Sequence, residues 1–175
     1  MQRSKGLVWC LSLALVCGSA GNGWAQATPI SAPVDEQQFS DWRVVCSTDD
    51  APKTCQLLQA AQAAPGASDV FLLTITPDAA ANDFAVITVP LGVYLAPGIE
   101  IQVDERRPFK VLFEICDQRA CYAGFRLAGP VFAAFRQGLD AKVRVWTGRE
   151  KAVEFPVSLR GFSAAMTHYE AQTAP

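Results

Sequence analysis

The chain has 175 residues, half of them hydrophobic and 18% charged, with a formal net charge of −2. That length suits one domain with a sizeable core, and the charged share lies below the globular norm of about 25%. A mildly acidic balance without a dense basic stretch excludes a nucleic-acid partner, whose electrostatic footprint is strongly basic.

The first feature along the chain is a leader. Arg3 and Lys5 precede an apolar run from Leu7 to Val16, and Ala25-Gln26-Ala27 fits the small-residue exit site of a secretory signal peptide. Residues 1–27 are expected to be removed, leaving Thr28 as the first mature residue, with cleavage after Ala20 as the alternative. A lipoprotein signal at Cys17 wants a small residue before the Cys, and Val16 is not small. The apolar run is too short to span a bilayer, which needs about 20 residues, and no later segment reaches that length.

Residues 28–37 have no period and read as a flexible N-terminal tail. From Phe39 to Cys46 the pattern alternates, with Trp42, Val44 and Cys46 on one face of a strand, and Cys55 to Ala61 pairs back on it. A loop over 63–68 leads to a β-prone run from Val70 to Thr76, a small-residue turn over 78–83, and a strand from Phe84 to Val89. The stretch from Val89 to Asp104 reads as the centre of the fold: a strand, a turn at Pro97-Gly98, and a second central strand. In that second strand Ile99, Ile101 and Val103 face one way and Glu100, Gln102 and Asp104 the other.

Asp104-Glu-Arg-Arg-Pro108 is expected to be a hairpin loop. Beyond it Phe109, Val111, Phe113 and Ile115 alternate, and after Cys121 so do Ala123, Phe125 and Leu127. Pro130 suits a first helical position, Val131, Phe132 and Phe135 share a helical face, and Gly138 is the expected cap. A last hairpin joins Lys142–Thr147 to Ala152–Leu159 through Gly148, with Pro156 marking an edge strand or bulge. Phe162, Ala165, Met166 and Tyr169 recur at helical spacing, and 171–175 should fray. The sum is a single β domain over 38–170: an all-β antiparallel sandwich, or partly open barrel, with one or two short helices, stapled by disulfides.

Once the leader is gone, Cys46, Cys55, Cys116 and Cys121 remain. An even number in an exported chain implies disulfides, and three pairings are available. The crossed pairings close longer loops and so stabilise more in the chain-entropy model, which leaves energy undecided. Locality favours Cys46–Cys55 and Cys116–Cys121, since each pair brackets a polar, turn-like stretch.

The residues for catalysis are sparse. His168 is the only histidine and falls near the C-terminus, where an exposed surface position is expected; it leaves no base for a serine or cysteine nucleophile. One His and oxidised Cys residues do not make a zinc site. The spacing Cys116-x-x-x-x-Cys121 is not that of a thiol oxidoreductase. The carboxylate pairs Asp49/Asp50, Asp104/Glu105 and Glu114/Asp117 match no calcium loop and read as solvated turns. Arg106, Arg107 and Lys110 form a small basic cluster at a hairpin tip, and Trp42 and Trp146 are expected in the core. No catalytic, cofactor-binding or metal site is assigned.

Four stretches together resemble one family. They are Trp42-Arg-Val-Val-Cys46 with Cys55; Pro90-Leu-Gly-Val93 with Leu95, Gly98 and the strand to Asp104; the pair Cys116 and Cys121; and Ser158-Leu-Arg-Gly-Phe162 with Ala165. The family is invasion-associated locus B, and the resemblance runs from about Phe39 to Met166. Ala120 departs from the Gly associated with the position before the last Cys. The resemblance implies a periplasmic or envelope β-protein of Gram-negative bacteria, from a family linked to host-cell invasion, and it carries over no catalytic residues. The expectation is therefore a non-enzymatic exported binding or interaction module with no cofactor and a protein or envelope partner. The competing readings are a carboxylate-based glycan hydrolase of the envelope and a host-facing adhesion or invasion factor.

Overall fold

Period-two alternation dominates the chain, and strands of that kind must bury one face against another layer. The computed structural model describes residues 34–48, 53–66, 70–77 and 83–173. The expected signal peptide, residues 28–33 of the tail, Asp49/Asp50 and the turn over 78–82 lie outside the described residues. Eleven strands are described: β1 (Val34–Phe39), β2 (Trp42–Ser47), β3 (Cys55–Gln62), β4 (Val70–Pro77), β5 (Asp83–Pro90), β6 (Ile99–Val103), β7 (Phe109–Val111), β8 (Phe113–Cys116), β9 (Ala120–Arg126), β10 (Asp140–Trp146) and β11 (Ala152–Ser158). Two helices join them, α1 (Gly129–Gln137) and α2 (Phe162–Thr173).

The strands form two sheets, one of seven in the order β1-β2-β3-β4-β5-β9-β8 and one of four in the order β11-β10-β6-β7, and the pairing is antiparallel throughout. The architecture is a β-sandwich with two helices, not a closed barrel. Its core is made of alternate residues: Trp42 and Val44 on β2, Phe71, Leu73 and Ile75 on β4, Ala85, Ile87 and Val89 on β5, Ile99, Ile101 and Val103 on β6, and Val143 and Val145 on β10. Phe71 of one sheet stacks on Phe155 of the other, ring centroids 5.5 Å apart. Further aromatic contacts run from the hairpin edge to the helices: Phe109 on Phe125, Phe125 on Phe135, Phe135 on Phe162, and Phe162 on Trp42.

Several expectations change. Residues 34–37, read as tail, belong to β1, which pairs along its whole length with β2 across a turn at Ser40 and Asp41. The stretch between Val89 and Ile99 does not join neighbouring strands. β5 sits in the larger sheet and β6 in the smaller, so 91–98 carries the chain from one sheet to the other. The run from Phe109 to Cys116 is likewise two strands in different sheets, broken at Leu112, with a bulge between Phe113 and Ile115. The alternation there predicted an inward Ile115, but it is exposed, because the bulge and the sheet switch cancel the period. At the C-terminus α2 persists to Thr173, so residues 171–173 are helical and not frayed.

Other features follow local rules. Pro130 opens α1 where its missing N–H costs nothing. Gly138 ends the helix with φ −75°, so it is not a left-handed cap; a Cβ there would meet Val103 Cγ1 at 2.6 Å and Leu159 Cδ1 at 2.9 Å, so close packing demands the glycine. Pro156 lies on β11, an edge strand of the smaller sheet, where a missing donor is tolerated. Phe162, Ala165, Met166 and Tyr169 are the buried face of α2.

Candidate functional site

The four cysteines end up as two local pairs. Cys46 and Cys55 are register partners on β2 and β3, joined with Cα atoms 4.0 Å apart and both buried. Cys116 and Cys121 are partners on β8 and β9, also 4.0 Å apart, but Cys116 is exposed. Asp117 organises the tight turn between them. Its Oδ1 accepts from the N–H groups of Arg119 (2.7 Å) and Ala120 (2.9 Å), and its Oδ2 accepts from the Tyr122 hydroxyl (3.1 Å). The backbone bonds from Arg119 and Ala120 hold the Asp117 pKa below the ordinary value of 3.8. Ala120 does not take a positive φ, so this turn needs no glycine before the last Cys.

The remaining sequence candidates have structural duties. Asp104, in the left-handed region at φ 47°, accepts from the N–H groups of Leu139 (3.1 Å) and Asp140 (3.0 Å) and so ties the end of β6 to the start of β10. The Glu114 carboxylate lies over Gly124, where a Cβ would meet its Oε1 at 2.8 Å. His168 is half-buried rather than exposed, its ring 5.2 Å from that of Phe39. Trp42 is fully buried and donates its Nε1–H to the Ser158 carbonyl at 2.8 Å, whereas Trp146 is only half-buried. Among the described residues no three of His, Cys, Asp and Glu gather as a metal site would require.

Several depressions mark the surface, among them one of about 340 Å³ beside Asp104, Glu105, Leu139 and Lys142; three others hold the remaining candidates. One, of about 470 Å³, is polar and lies beside Ser40, Asp41, Gln59 and Ser158. Gln59 is the buried polar residue at its base; its Nε2 donates to the carbonyls of Asp41 (3.0 Å) and Ser158 (2.9 Å), so it pins β3 to both neighbouring segments and both its N–H donors are used. The second, of about 500 Å³, is mainly apolar and lined by Leu95, Leu112, Phe113, Ile115 and Cys116, with Glu114 among them. Leu112 is 70% exposed, Ile115 64% and Leu95 45%, and Leu91 in the same 91–98 connection is 50% exposed. Leu112 Cδ2 would sit 3.3 Å from a Cβ on Gly98, which places the leucine against the crossover turn. Leu95, Leu112 and Ile115 thus stand in water where the 91–98 crossover meets the sheet switch at Leu112.

The third depression, about 350 Å³, lies between the β6–β7 turn and α1. Val103, Phe109, Val131 and Ala134 form its apolar wall, and Arg106 and Arg107 its rim. Arg106 Nη2 donates to Gln137 Oε1 at 3.2 Å, fastening the hairpin tip to the helix. Sequence reading found the arginines as a hairpin tip but not the wall that α1 supplies. The signal available was the spacing of Pro130, Val131 and Ala134, which places small and apolar groups on one side of the helix.

The fold has counterparts. Residues 42–170 match the family model described as Invasion associated locus B (IalB) protein. Two relatives in Brucella abortus, in strain 2308 and in biovar 1 strain 9-941, each described as an Invasion protein B homolog, are 24% identical over 156 residues; the match covers 89% of this chain and 90% of each relative. The crystal structure of invasion associated protein b from Bartonella henselae superposes with a TM-score of 0.68 at 19% identity, covering 81% of this chain and 99% of that one. With the family model spanning most of the sandwich and both disulfides, this chain belongs to the invasion associated locus B protein family.

Proposed function

We propose that this chain is an exported, non-enzymatic binding protein of the Gram-negative envelope, and that the apolar end around Leu112 is the surface it presents to a protein partner. The observation that carries this reading is the exposure of Leu95, Leu112 and Ile115 around one depression of the sandwich. Burying such side chains stabilises a complex by roughly 25 cal/mol per Å² of apolar surface removed from water, so a partner that covers them gains what the monomer forgoes. Export is supported by the leader expected over residues 1–27 and by two disulfides, which persist in oxidising compartments. The mature chain then starts at Thr28 and works in the periplasm, soluble or associated with the outer membrane. No helix among the described residues is long and apolar enough to cross a membrane. Asp104 and Asp117 are occupied in holding turns, which removes the motive for reading them as catalytic carboxylates.

Leu112→Asp with Ile115→Asp tests the surface. Both side chains are exposed, so the fold should survive with an unchanged melting temperature. In envelope extracts of the native host, the wild-type chain should migrate as part of a larger complex and the double variant as a free monomer. A variant that keeps the wild-type size would remove the apolar end from the account. A host-facing role, suggested by the relatives' descriptions as invasion proteins, further requires display on intact cells. Protease shaving of whole cells should then release the chain, whereas a purely periplasmic protein stays protected.

A further inference from the structure

The groove between the β6–β7 turn and α1 combines two features that seldom meet by chance. Its wall is apolar and partly made of the core itself, since Val103 and Ala134 are buried and Phe109 and Val131 half-buried. Its rim carries two guanidinium groups, those of Arg106 and Arg107, and no carboxylate lines it. Arg106 spends one nitrogen on the neutral Gln137 amide, and Arg107 has no ion pair or hydrogen bond among the described residues. The first turn of α1, which supplies Pro130 and Val131 to the same groove, contains no acidic residue to neutralise its positive end. By contrast Arg144 bridges Glu100 and Glu154 on the smaller sheet, and Arg43 pairs with Glu36. What sets Arg106 and Arg107 apart is their place: two guanidinium groups without a carboxylate stand at the rim of an apolar wall.

We infer that this groove binds a single amphiphilic anion, with an acyl chain against Val103, Phe109, Val131 and Ala134 and a phosphate or carboxylate held by Arg106 and Arg107. Guanidinium forks match such planar or tetrahedral anions in paired hydrogen bonds. A volume of about 350 Å³ falls at the small end of ligand sites, room for one chain and not for a folded peptide. The buried wall also selects a monomeric ligand over a bilayer surface, because lipid headgroups in a membrane would reach the arginines but leave Val103 and Ala134 untouched. The groove shares no lining residue with the apolar end around Leu112, so this inference and the partner surface stand or fall separately.

The test uses the mature chain with isotope-labelled methyl groups, titrated with decyl phosphate below its micelle-forming concentration. Saturable one-to-one binding is expected, with shifts at the methyls of Val103, Val131 and Ala134. Decanol and inorganic phosphate, each lacking half of the ligand, should bind at least about tenfold more weakly. Arg106→Gln with Arg107→Gln should weaken decyl phosphate by about tenfold or more while leaving decanol unchanged. Val131→Trp, which fills the groove without touching the arginines, should abolish both. Equal affinity for decanol and decyl phosphate, indifference to the double glutamine variant, or shifts confined to Leu112 and Ile115 would each overturn the inference. So would binding to phosphatidylglycerol vesicles, but not phosphatidylcholine vesicles, with none to monomeric decyl phosphate, since that marks the arginines as a membrane contact.

Discussion

Tyr169 lies on the buried face of α2 with 1% of its surface exposed, and its hydroxyl has no hydrogen-bond partner among the described residues. Burial first, and then the carboxylates of Asp83 and Glu170, push its pKa well above the ordinary tyrosine range, so it stays a neutral phenol. A buried hydroxyl without a partner costs stability, and its removal leaves nothing else unpaired. Tyr169→Phe is therefore expected to hold the urea midpoint or raise it, by up to about 1 kcal/mol; a loss of similar size would reveal an ordered partner for the hydroxyl. The period in Phe162, Ala165, Met166 and Tyr169 showed which residue is inward, but no spacing rule says whether an inward hydroxyl finds an acceptor. Gln59 is the converse case. It occupies an inward position on β3 between Leu57 and Ala61, where the pattern asks for an apolar residue, and only the fold reveals the two carbonyls that hold it. Gly161 was legible as part of a family-like stretch, yet its physical reason is tertiary: φ is 86°, and a Cβ would collide with the Phe39 carbonyl of β1.

Among the elements, the hairpins were the most readable, because turn residues and alternation sit side by side in the chain. The β2–β3, β8–β9 and β10–β11 pairs all join near neighbours. What the pattern does not carry is which sheet a strand joins. β5 and β6 read as neighbouring strands joined by a turn at Pro97-Gly98, and β7 and β8 as one run across Leu112, because alternation records only inward and outward, and both sheets face the same core. The missed sheet switches are where the apolar end arises, which is why the candidate partner surface was also missed. The two bridged hairpins differ in one testable respect. Cys46 and Cys55 are buried, whereas Cys116 is open to solvent, and thiol exchange requires access. Under graded reductant in native conditions, alkylation and mass mapping should find Cys116–Cys121 opened first, with Cys46–Cys55 intact until the fold loosens. Removing either bridge by Cys→Ser at both ends should cost about 2–3 kcal/mol, the loop-closure value for such short loops. Earlier loss of Cys46–Cys55, or fragments cut between Cys55 and Cys116 that stay joined until reduced, would contradict this.

At the scale of the whole molecule, the sandwich buries one face of nearly every strand, and its two helices pack on each other through Phe132, Phe135 and Phe162. It then leaves one apolar cluster uncovered where the chain crosses between sheets. Composition and period made the class of fold and the family visible, while the sites depended on which distant segments meet, as Arg106 meets α1 and Leu112 meets the 91–98 crossover. The central claim is that the exposed cluster exists for a protein partner. A photo-crosslinking amino acid placed at Leu112, with a matched one at Leu139, tests it in living cells of the native host. The two positions are similarly exposed, 70% and 65%, but Leu139 stands outside the cluster. The account predicts a discrete protein adduct from position 112 and none from 139, lost when Ile115→Asp is added. Equal labelling from both positions, or none from 112, would contradict it.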